Sequence, residues 1–66
     1  MPLSTRDWAR REIKRAADNL DWTNTHILRV ADRYVDAHPE IAQPLALASD
    51  MIEELQKMLT SIKNSF

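Results

Sequence analysis

The chain has 66 residues, 44% hydrophobic and 29% charged, with no glycine, no cysteine and a formal net charge of −1. That composition fits one small domain over residues 1–66. It excludes a disulfide framework, a thiolate zinc cluster, a glycine-rich phosphate loop of the usual form and a hairpin turn that needs positive φ. The longest apolar run, Leu45 to Ala48, is far short of the ~20 residues that cross a membrane, and Met1 to Ser4 show no charged-then-apolar leader pattern. The expectation is a cytoplasmic protein without membrane contact.

The first helix start is written in Ser4 and Asp7, an S-x-x-D capping signal with the acid at the positive end of the helix dipole. Ala9, Ile13, Ala16, Ala17 and Leu20 then recur at helical spacing, and no strand-like alternation competes with them. Between Asp18 and Thr25, six short polar residues in eight favour caps and turns over helix interiors. Beyond them Ile27, Leu28, Val30, Ala31, Tyr34 and Val35 form a second amphipathic run. It ends near Ala37 and His38, because Pro39 disfavours helical geometry in the residue before it.

Pro44, deep inside any helix that began at Pro39, would clash with the preceding turn, which places the next helix start between Ile41 and Pro44. From there Leu45, Ala48, Ile52, Leu55, Leu59, Ile62 and Phe66 are spaced alternately by three and four residues, the seam of a coiled-coil-like contact. Leu47, Met51 and Met58 widen the apolar arc to about 160°, so this helix calls for two neighbours.

The fold class is therefore all-α, with two or three amphipathic helices at about 5–20, 22–37 and 43–64. They form either a three-helix unit or an unequal helical hairpin with one helix over 5–37. The stripe Ala9, Ile13, Ala16, Leu20, Ile27, Ala31, Tyr34 keeps its phase across the polar segment, interrupted only at Asn24. Composition and the ~50 Å length of an unbroken helix favour a break or sharp kink near Asp21, with Trp22 folding back over the core. A lone core of this size rarely supplies more than about 3–5 kcal/mol, so assembly into a homo-oligomeric bundle is expected.

No catalytic set is visible. His26 and His38 stand twelve apart, without the i, i+4 or E-x-x-H spacing that puts metal ligands on one helical face. Asp50, Glu53 and Glu54 lie opposite the apolar seam, on a face that belongs to solvent. Charge is unevenly placed. Residues 1–15 carry five cations against two acids, while residues 34–66 carry two cations against five acids.

These features point to a non-enzymatic protein–protein interaction module, a small regulator, adaptor or assembly factor without cofactor or metal, which works through helical surfaces and self-association as a homodimer or higher. The expected interface, to itself or to a protein partner, is Leu45, Leu47, Ala48, Met51, Ile52, Leu55, Met58, Leu59, Ile62 and Phe66. The alternative is a nucleic-acid binder using the Arg-rich first helix. Its face would comprise Trp8, Arg10, Arg11, Lys14, Arg15, Trp22, Arg29 and Arg33, with arginines on phosphates and a tryptophan stacked on a base. A pI near 6.0 argues against that alternative.

Overall fold

A computed structural model describes residues 4–66; Met1 to Leu3, on which the absence of a leader pattern partly rests, lie outside them. Among the described residues, two helices make up the regular structure. Helix α1 runs over Thr5–Tyr34 and helix α2 over Pro39–Asn64, packed against each other as an antiparallel hairpin. The start of α1 is the one its cap encodes: the Asp7 N–H donates to Ser4 Oγ at 3.1 Å, and the Trp8 N–H to the Ser4 carbonyl.

The expected break near Asp21 does not occur. Residues 5–20 and 22–37 are one helix of 30 residues ending at Tyr34, and the architecture is a hairpin rather than a three-helix unit. The reason lies in how the polar segment satisfies itself. Thr23 Oγ1 donates to the Asn19 carbonyl at 3.0 Å and Thr25 Oγ1 to the Asp21 carbonyl at 3.1 Å, one turn back, while Lys14 pairs with Asp18 at 2.9 Å. These hydroxyls bond back within the helix rather than capping a break, a slight cost to the helix and not a stop. The low propensity of such residues costs a few tenths of a kcal/mol each, less than packing of an in-phase stripe returns.

The turn is Val35 to His38. His38 N–H donates to the Tyr34 carbonyl at 2.8 Å, and the two rings lie 5.7 Å apart, tilted against each other. With no glycine, α1 ends without a left-handed cap: among the described residues no φ is positive. His38 instead takes φ −140° and ψ 70°, outside the helical region that a following proline disfavours, and serves as N-cap of α2 without a side-chain cap bond.

The start of α2 corrects the expectation of a helix from about 43. Pro39 is the first helical residue, where a missing N–H costs nothing and a preset φ helps. Pro44 sits inside the helix and removes the bond its N–H would have made to the Glu40 carbonyl.

Register follows from one bond. Gln56 Nε2 donates to the Ala17 carbonyl oxygen at 3.3 Å. One heptad along α1 and one heptad back along α2, Asn24 stands level with Ser49, and one further on Ala31 stands level with Ala42. In α1 the residues drawn toward α2 are Ile13, Ala17, Leu20, Asn24, Ile27 and Ala31; Ala16 and Tyr34, expected on the stripe, are exposed. In α2 they are Ala42, Leu45, Ser49, Ile52, Gln56, Leu59, Lys63 and Phe66, joined by half-buried Ala48.

Only Ala31, Ala42 and Ser49 among the described residues are buried, and no large side chain is fully enclosed. The hairpin is thin, with Cα extents of 55 × 19 × 10 Å and a radius of gyration of 15.7 Å, against the ~11 Å of a compact chain of this length.

Candidate interaction surfaces

The seam between the helices consumes half of the expected interface. Leu45, Ala48, Ile52, Leu59 and Phe66 are half-buried against α1. Leu55 and Ile62, read as seam residues from their spacing, are instead turned outward and exposed, as are Leu47, Met51 and Met58. The positions that take their place against α1 are Ser49, Gln56 and Lys63, one residue further along each turn. Leu55 retains 42% of its exposure and Met51 65%, whereas Ser49 retains 4%. Four of the five outward residues follow helical spacing, Met51, Leu55, Met58 and Ile62, three and four apart, so they form one strip along α2.

α1 presents a different outer surface. Trp8, Arg15, Trp22 and Arg29 recur every seven residues and share one side, away from α2. The tryptophans are 57% and 66% exposed, so Trp22 is not the core or turn plug that a break would have made it. Its ring stacks on His26 at a centroid distance of 6.3 Å and an interplanar angle of 28°. Arg15 also reaches Glu12 at 3.2 Å.

Of the remaining basic residues expected on this face, Arg10 and Lys14 lie on another side of α1. The Arg10 guanidinium donates to the Phe66 carbonyl oxygen, which ties the start of α1 to the end of α2. Lys14 is engaged with Asp18 on another side, whereas Arg11 and Arg33, three or four residues from Trp8, Arg15 and Arg29, are exposed on the same side as the stripe.

Among the described residues, no group of three or more His, Asp or Glu side chains is placed to hold a metal ion. His38 Nδ1 lies 3.0 Å from Glu40 Oε1, an exposed pair at the turn, and Glu54 pairs with Lys57 at 3.2 Å on the solvent side of α2. One open, apolar groove lies beside the turn, between Leu28, Val35, Ala42 and Ala46.

Asn24 is the residue that sequence reasoning left without a role. It lies on the seam level with Ser49, and its Oδ1 is buried without a hydrogen-bond partner in the chain. The signal was present, since Asn24 is the single polar interruption of an otherwise apolar stripe. No helix among the described residues is long and apolar enough to cross a membrane. The comparisons with known proteins add no relative: no family model, no curated protein and no solved structure matches the chain.

Proposed function

We propose that this chain is a non-enzymatic protein–protein interaction module that acts through helical surfaces and self-association. The observation that carries the reading is the strip Met51, Leu55, Met58, Ile62, with Leu47 beside it, left open along α2 while polar residues occupy the seam. Contiguous apolar surface of this kind on a small protein marks a contact with another macromolecule. The thinness of the hairpin supports the same reading, because a pair of helices with three buried residues has little core with which to stay folded alone. Light scattering coupled to size exclusion tests it directly. The expected mass at micromolar concentration is that of more than one chain, and a stable, helical 7.7 kDa monomer would overturn the reading.

A second reading rests on the Trp8, Arg15, Trp22, Arg29 stripe, whose exposed indoles and guanidinium groups suit stacked bases and phosphates. It requires oligonucleotide binding that falls steeply with salt, with a smaller slope after Arg15→Ala and Arg29→Ala. Absence of binding to single- and double-stranded oligonucleotides at low salt removes it.

A further inference from the structure

The apolar strip of α2 is half of a larger surface whose geometry selects its occupant. On the side of the hairpin where Leu55 and Ile62 emerge, α1 contributes Ala9, Ala16, Thr23 and Val30, seven apart and small for the most part. The two rows run in opposite directions, so this broad side is bulky along α2 and shallow along α1. A second hairpin laid on it with its α2 over this α1, and its α1 over this α2, would set bulky residues over small ones along both helices.

Resting on the self-association proposed above, we infer that the surface is covered by a second copy of this chain, related by a two-fold axis parallel to the helices. The product is a four-helix bundle in which both turns lie at the same end. Three observations converge on it.

Area is the first. The chain exposes 5336 Å². A compact monomer of 7.7 kDa exposes only ~4,300 Å², and hiding the excess of ~1,000 Å² on each of two copies gives ~2,000 Å² of interface, the size of a stable dimer. Net helix charge is the second. Helix α1 carries seven cations against five acids, and α2 four acids against two cations, so α1 over α2 pairs opposite signs.

Level-by-level charge is the third. An axis parallel to the helices keeps the heights that the Gln56–Ala17 bond sets within one chain. Arg33 then stands level with Glu40 of the second copy, and Arg15 stands within about one turn of its Glu54. An axis across the helices would lay α2 on α2 instead, centred near Leu55, where the strip has its middle. That arrangement brings the two Glu54 carboxylates to the same rim and stacks bulk on bulk.

The test exploits the absence of native cysteine. Ala37 lies exposed in the turn, so Ala37→Cys carries a nitroxide without touching the proposed interface. Double electron–electron resonance on the full-length labelled protein, with the mass measured in parallel, is expected to show a dimer and a distance below about 25 Å, as for labels on adjacent packed helices. A dimer with the labels about 40 Å or more apart, the length of these helices, overturns the shared-end bundle and leaves self-association standing. A single-chain mass with no dipolar coupling overturns both, as does a complex whose second component is a different protein.

Discussion

The two flanks of α2 make an unequal pair. Leu45, Ile52, Leu59 and Phe66 form the spine they share. On one side of that spine Ser49, Gln56 and Lys63 are turned to α1; on the other Leu55 and Ile62 face outward with the methionines. The inward flank is the more polar of the two. A helix whose apolar arc is wider than one neighbour can cover must leave part of it open, and here α1 covers the spine and the polar edge. What the difference teaches is that the hairpin on its own leaves apolar side chains of α2 in solvent while polar ones face α1. The uncovered flank holds the larger and more apolar side chains.

The comparison breaks most sharply at Leu55. Leu55→Asp places a carboxylate in the middle of the open strip, where burial against another chain would cost about 3–5 kcal/mol or more. The expected outcome is loss of the assembled mass, with unfolding at low concentration. Lys57→Asp places a carboxylate two residues away on the solvent side, with a larger change of net charge and loss of the pair with Glu54, and should still leave the mass unchanged. Equal behaviour of the two variants in light scattering would mean that the strip is solvent-facing and that the two flanks differ in composition alone.

A smaller and opposite effect is expected inside the seam. Asn24 Oδ1 is buried without a partner level with Ser49, and leaving such an acceptor unpaired costs about 1–3 kcal/mol. Asn24→Leu removes the unpaired acceptor and continues the apolar stripe, so urea unfolding should show a gain of roughly 1 kcal/mol. A loss of stability with an unchanged oligomer would show that Asn24 and Ser49 fix the register of the hairpin, with polarity on the inward flank retained for that purpose.

The parts of this fold that were legible are those written as local patterns. Ser4 and Asp7 specify the start of α1, and the spine of α2 stands out by its strict spacing. The continuity of α1 was carried by phase rather than by composition. Six cap-favouring residues read as a break because propensity says nothing of threonine hydroxyls that bond back one turn, which the helix itself must exist to offer. The start of α2 was misplaced by reading Pro39 as the end of the preceding helix and Pro44 as a bar to an earlier start, although Pro39 sits where its missing N–H is free. The flank of α2 that meets α1 was beyond reach, since spacing identifies the widest apolar arc but not where within it the neighbour sits. That choice depends on the turn and on small residues in α1, which a one-helix pattern does not contain.

The outer stripe of α1 gives the smallest expected effect and the finest control on the comparison. Trp8 and Trp22 are large apolar residues as exposed as Met51 and Met58, yet they alternate with Arg15 and Arg29 and do not join into one apolar strip. Exposure of isolated large side chains carries little stability, because truncation removes contacts with solvent more than contacts with protein. Trp22→Ala gives up the stack on His26 and gains the better helix propensity of alanine, two terms of a few tenths of a kcal/mol that offset each other. The melting curve should therefore move by less than about 0.5 kcal/mol in equivalent stability, and Trp22 emission in the parent protein should be quenched readily by iodide or acrylamide. A shift several times larger, or an indole protected from quencher in the assembled protein, would place the stripe within an interface. The distinction between an α2 strip that assembles the protein and an α1 stripe that faces solvent would then fail.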